Sequence, residues 1–224
     1  MRALLIDTEN VTWSELQISA FIAEIEQFQI NVIILNNVKQ YQSLEDITIY
    51  AHHHIVADGI SKIYSDNIGY RLVQALEKIW QSVFSTIHLT TQGHQGQVIL
   101  CRQPILKVWF RKLTPQVKLL VVETKEWVIA SLSAWNVYQI KQGHVVDTHD
   151  LLRAQIKPVM LLSHYRLYQG FEPYHWLSGR HIGALMKWPN DMDVYFDYPV
   201  DLLQTRYWDL KDCPVAGVLL TTAD

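Results

Sequence analysis

The chain has 224 residues, 49% of them hydrophobic and 18% charged, with a net charge of -3 and a pI near 6.3. That composition builds a globular core and excludes a disordered chain; a bulk basic footprint for nucleic acid is absent, though a local patch is not excluded. Two cysteines, Cys101 and Cys213, make no disulfide framework, no apolar run nears the ~20 residues of a membrane span, and Asp7 breaks the N-terminal run too early for a signal core, so a soluble, cytoplasmic protein in a reducing compartment is expected.

Residues 2–6 read as a short buried strand. Residues 14–28 read as a helix, because Leu16, Phe21, Ile22, Ile25 and Phe28 recur at three- and four-residue steps behind Thr12 or Ser14 as a cap. Residues 31–38 are β-branched, residues 40–44 break the pattern, and residues 46–57 are β-rich again, which suggests two adjacent strands. Residues 61–82 carry Ile63, Ile68, Leu72, Leu76 and Ile79 on one broad face, as an amphipathic helix would, with Gly69 against it. Residues 86–91 form another strand and residues 92–97 a glycine-containing loop. From Val98 the pattern turns largely to strand, over 98–101, 106–110, 118–123 and 127–140, with a turn at Gln142-Gly143. A short helix over 147–155, the segment 158–168 and an aromatic tail follow. The fold class is α/β, a mixed β-sheet flanked by helices with a β-rich second half. A boundary near Thr114-Pro115 would divide an α/β region, 1–112, from a β-rich aromatic one, 115–224; the alternative is one continuous domain.

Residues 53–59 read His-His-Ile-Val-Ala-Asp-Gly, at the point where the strand pattern gives way to the helical one. A neutral imidazole takes up a proton near working pH, Asp-Gly bends the chain, and glycine accepts backbone angles that other residues resist. The motif, with the order of elements over residues 3–82 and the run Met192 to Leu203, resembles the superfamily of chloramphenicol acetyltransferase and condensation domains. The resemblance implies acyl transfer from a CoA or carrier thioester to a hydroxyl or amine. His54 would be the general base, Asp58 a structural partner, Gly59 the turn, and His53 a packing residue. Residues 31–38 and 46–57 should then be antiparallel neighbours. Members of that superfamily are either much longer than this chain or carry the motif near the C-terminus, and the same histidines also fit a plain polar strand end. His52 and His54 share a strand face, but two ligands do not close a metal site.

The opening Leu4-Leu5-Ile6-Asp7-Thr8-Glu9-Asn10 resembles the first strand of the NYN branch of PIN-like ribonucleases. By that resemblance Asp7, Asn10 and Asp66 would hold Mg²⁺ or Mn²⁺ for RNA cleavage, and the two strand segments would be parallel. The family's later aspartates are replaced at Gln92 and His94, so weak or no cleavage is expected. A third reading is a non-catalytic interaction module. Lys187-Trp188-Pro189-Asn190-Asp191 matches a biotin protein ligase motif, although a Pro-Asn-Asp turn explains it better. His144, Asp147, His149 and Asp150 fit a solvated loop better than a cation site. No resident cofactor is expected in the acyltransferase reading beyond its thioester co-substrate. Self-association into a homo-oligomer is expected, and no membrane partner.

Overall fold

The fold was obtained as a computed structural model that describes residues 1–8, 12–48, 53–59, 61–76, 78–134, 141–164, 181–186, 192–196, 206–209 and 216–221. In chain order the elements are β1 (Arg2–Asp7), α1 (Glu15–Gln27), β2 (Val32–Tyr41), β3 (His54–Val56), α2 (Ile68–Ala75), β4 (Gln81–Leu89), β5 (Gly93–Cys101) and β6 (Lys107–Thr114). Then come β7 (Val117–Glu123), β8 (Val128–Ala134), α3 (Gln142–Arg153), β9 (Val159–His164), β10 (His181–Met186), β11 (Met192–Phe196), β12 (Arg206–Asp209) and β13 (Ala216–Thr221).

These strands form two mixed sheets. One runs β12-β13-β1-β2-β5-β4-β3 and the other β11-β10-β9-β8-β7-β6. Parallel pairs β1–β2 and β3–β4 sit in the first, and β8–β9 and β9–β10 in the second. Alternation along each strand builds three apolar layers. Leu4, Ile6, Ile33, Leu35, Val98 and Leu100 face α1 and α2. Leu5, Val32, Ile34, Val83 and Ile99 meet Leu120, Val122, Ile129, Met160 and Leu162 of the other sheet. Leu119, Val121, Ala130 and Leu132 face away, toward Leu152 of α3. The order is therefore helices, sheet, sheet, helix. The α/β class with mixed sheets stands, and β12 and β13 join β1 from the far end of the chain.

Local chemistry explains the elements the sequence reading caught. Ser14 caps α1 in a reciprocal box: its Oγ accepts from Gln17 N at 3.3 Å, and Gln17 Oε1 accepts from Ser14 N at 2.8 Å. Such a box contributes about 1 kcal/mol. The buried face of α1 is Ile18, Phe21 and Ile25, whereas Leu16 stands 76% exposed.

Elsewhere the structure differs from those expectations. Residues 31–38 and 46–57 are not neighbours: β2 lies between β1 and β5, while β3 is a three-residue edge strand parallel to β4. The single long helix expected over 61–82 is only α2. Asn67 starts it by accepting from Tyr70 N at 3.2 Å, and β4 begins at Gln81. Residues 93–97, expected as loop, belong to the buried central strand β5. Its glycines are there for close approach, since a Cβ on Gly96 would meet Ser85 O at 2.3 Å. Gln142-Gly143 opens α3 rather than making a hairpin turn.

Candidate functional site at the polar end of the intersheet layer

The layer between the sheets changes character at one end. Along β2 the inward residues run Val32, Ile34, then Asn36. Along β5, read backward, they run Cys101, Ile99, then Gln97 and Gln95. Val83 of β4 gives way to Ser85, Val122 and Leu120 of β7 to Lys118, and Ile129 of β8 to Ser131 and Ser133. The register puts these switches at neighbouring levels: Ser85 opposes Gln97, and Lys118 opposes Ser133. All are buried, with Asn36 at 2% exposure and Gln97, Ser85 and Ser131 at 0%. The two sheets are joined there by polar contacts. Ser131 Oγ donates to Asn36 Oδ1 at 3.3 Å, and Gln97 Nε2 donates to Lys118 O at 3.4 Å.

Three bulges fall at this end, in β2 between Leu35 and Val38, in β4 between Thr86 and His88, and in β6 between Lys112 and Thr114. Bulges re-aim side chains and recur beside binding sites. The one in β2 holds Asn37 at φ 56°, a left-handed conformation asparagine tolerates better than most residues. Gln95 Nε2 donates to Asn37 Oδ1 at 3.3 Å. Thr8, just past β1, fastens the bulge: its N donates to Asn36 O at 3.0 Å, and its hydroxyl lies 2.8 Å from Asn37 O.

Beside this layer sits an ion pair between the sheets. Asp58, in the turn after β3, accepts from Ser61 N and Ser61 Oγ, both at 2.8 Å, and from Lys118 Nζ at 3.0 Å. The two side chains are 2% and 6% exposed. Burial pushes the Asp58 carboxyl up, but the hydrogen bonds from Ser61 and Lys118 outweigh it and hold the group below its ordinary value. Burial pulls the Lys118 ammonium down, and Asp58 opposes that only in part. The pair is charged at neutral pH. Lys118 also donates to Thr86 O and lies 4.9 Å from the centre of the Phe110 ring.

The residues singled out from sequence fall in several places. His54 in β3 is half-buried against Tyr70, with ring centroids 5.1 Å apart. Its Nδ1 meets Ser82 Oγ, and its Nε2 is buried with no partner among the described residues. Burial, then the charge of neighbouring His53, takes its pKa down to about 4. His53 is exposed, and its carbonyl accepts from Ser82 N at 2.9 Å. Gly59 has φ 67°, so the turn does need it. Residues 61–63 are not helical; Ser61 is engaged with Asp58 and Thr86. Asp7 lies opposite Asn36 in the β1–β2 ladder. Asn10, Cys213 and residues 187–191 lie outside the described residues. Asp66 accepts from Tyr41 N at 3.0 Å, beyond the β2 bulge. Sequence reading missed Asn36, Asn37, Gln95, Gln97, Lys118 and Ser131. Their signal was a polar residue in phase with an otherwise apolar strand face, as in Val-Ile-Ile-Leu-Asn-Asn.

The chemistry available is hydrogen bonding by amides and hydroxyls around one buried ion pair. Among the described residues no three His, Cys, Asp or Glu side chains could hold a metal ion together. Hard divalent cations favour carboxylate oxygens; among the described side chains of this site that oxygen comes from Asp58, which is paired with Lys118.

No protein-family model matches the chain, and no curated protein matches it by sequence. Solved structures do match its fold. An endonuclease/exonuclease/phosphatase family protein from Leptotrichia buccalis aligns with TM-score 0.65 at 14% identity, covering 100% of each chain. The human Nocturnin catalytic domain with bound sulfate aligns at 0.57 and 11%, covering 100% of this chain and 93% of that one. The 3′ phosphatase NExo from Neisseria, bound to product DNA hairpin, aligns at 0.53 and 10%, covering 100% of each. The chain thus has the endonuclease/exonuclease/phosphatase fold. This overturns both the acyltransferase likeness and the NYN/PIN likeness, and with the first the assignment of His54 as base for a thioester. Among the described residues no helix is long and apolar enough to cross a membrane.

Proposed function

We propose that the chain binds a phosphoester ligand, a nucleic-acid strand by class, at the polar end of the intersheet layer. The described residues equip it for recognition. The observation that carries this reading is the in-phase change from apolar to polar on five strands, in a fold shared with phosphoester-cleaving proteins. Amide nitrogens and hydroxyls donate to phosphate and sugar oxygens without carrying charge, which suits a chain of net charge -3.

A second reading is metal-assisted phosphoester hydrolysis with Mg²⁺ or Mn²⁺. It draws support from the names of the structural neighbours and from Asp7, whose backbone reaches the same end of the sheet. Fluorescence anisotropy with labelled single-stranded oligonucleotides, in EDTA and in Mg²⁺ or Mn²⁺, tests both. Binding that survives EDTA, weakens in Asn37→Ala and yields no cleavage product supports recognition alone. Metal-dependent product release that is lost in Asp7→Asn supports the second reading. Absence of binding in every condition overturns both.

A further inference from the structure

Next to the ion pair, on the side of β4, β5 and β6, lies an open cavity of about 100 Å³. Its polar wall includes Thr86, His94, Lys112 and Lys118, and its apolar wall includes Leu89 and Pro115. The hydroxyls behind that wall fix the proton on His94. Asp58 is ionised and can only accept, so the single hydroxyl proton of Ser61 goes to Asp58, at 2.8 Å. Ser61 Oγ is 2.6 Å from Thr86 Oγ1, and since the Ser61 proton is committed, Thr86 must donate there. Thr86 Oγ1 is then left as an acceptor toward His94 Nδ1, at 3.2 Å. His94 therefore carries its proton on Nδ1, and its Nε2 presents a lone pair. That Nε2 makes no hydrogen bond to a described residue, while Tyr64 packs edge-on at 5.4 Å and holds the ring.

We propose that this cavity is a sugar subsite of the nucleic-acid cleft, in which a ribose 2′-hydroxyl donates to His94 Nε2 while the adjoining phosphate faces exposed Lys112. The cavity of about 100 Å³ admits more than a single water and has room for one five-membered ring against Leu89 and Pro115. A deoxyribose has no such donor, so the subsite selects RNA over DNA. Burial holds the His94 imidazole below its ordinary value, with the nearby charges of Asp58, Lys62 and Asp46 acting in both directions. The lone pair is therefore present at neutral pH. Ser61 and Thr86 act as positioning residues, through the histidine.

The subsite rests on the nucleic-acid reading above, and the experiment separates the two. RNA and DNA oligonucleotides of one sequence are compared by anisotropy. One hydrogen bond gives RNA an advantage of about 3- to 10-fold. His94→Phe should abolish the preference, so that RNA and DNA bind with equal affinity, while His94→Gln, which returns an acceptor near Nε2, should restore the preference. The imidazole ¹⁵N spectrum of wild type should show Nδ1 protonated and Nε2 bare, and Thr86→Val should mix the two forms. Equal affinity for both polymers, a preference that survives His94→Phe, or a protonated Nε2 in wild type each overturns the subsite. If neither polymer binds, the nucleic-acid reading fails and the subsite with it.

Discussion

His54 should make the protein lose stability in mild acid, by an amount its burial sets. Its folded pKa is about 4, below the ordinary 6.5. The unfolded chain therefore takes up a proton first as pH falls. The stability linked to neutral His54 is complete above the unfolded value and is lost progressively from there down to the folded value. At about 1.4 kcal/mol per pH unit, the loss approaches 2 kcal/mol by about pH 5 and about 3 kcal/mol near pH 4. His94 is shifted the same way by burial, and Asp66 is raised by burial, so acidification alone mixes their effects. His54→Asn separates them, because an amide near the place of Nδ1 can keep the contact with Ser82 Oγ and does not titrate. Urea unfolding of both proteins at about pH 7 and about pH 5 is the assay. Wild type should lose about 2 kcal/mol more than the variant between those points. Parallel losses would mean that His54 charges freely in the folded state, and the argument from its burial would be wrong.

Three further outcomes are expected. Lys118→Met strands the Asp58 carboxylate in the interior and should cost about 3–5 kcal/mol, whereas adding Asp58→Asn recovers much of the loss; a double variant no more stable by thermal unfolding than Lys118→Met would refute the pairing. Gly96→Ala should destabilise by at least about 1–3 kcal/mol, since its Cβ would meet Ser85 O at 2.3 Å; unchanged unfolding would mean that β4 and β5 lie further apart. Oligonucleotide binding should depend weakly on salt, with a log–log slope near about −1, because among the described residues lining the cavity Lys112 is the exposed cation; a slope steeper than about −3 would point to an extended basic surface elsewhere.

Elements governed by local chemistry were legible in the sequence. The Ser14 cap and the Phe21–Ile25 step fixed α1 almost to the residue, a short apolar run marked β1, and strand-favouring runs marked β2 and β7. The misreadings came from long-range contacts. Gly93 and Gly96 look like loop residues, but both sit where neighbouring backbone or side chains leave no room for a Cβ. Ile63 is buried without being helical, because its N–H donates to Thr48 Oγ1 at 2.8 Å. The His-His-x-x-x-Asp-Gly run did mark a real turn with a positive φ. Its aspartate, however, pairs with Lys118 of the other sheet, a partner that no local pattern announces.

The polar layer has a cost that argues for its use. Asn36 Nδ2, Ser85 Oγ and Gln97 Oε1 are buried and lack a partner among the described residues. Left bare, each would cost about 1–3 kcal/mol, so the three together would remove about 3–9 kcal/mol. A domain of this kind is stable by only about 5–15 kcal/mol. An apolar side chain at each of these positions would extend the layer formed by Val32, Ile34, Val83 and Ile99 without that cost. Bare burial on this scale would take a large share of the stability, so these atoms are expected to meet water, ligand groups entering from the bulged end, or residues outside the described ones. A sandwich that needed only to fold would have continued its apolar alternation to the rim. That it stops in phase on five strands, beside three bulges and a buried ion pair, marks this end as the part of the molecule shaped for something other than stability.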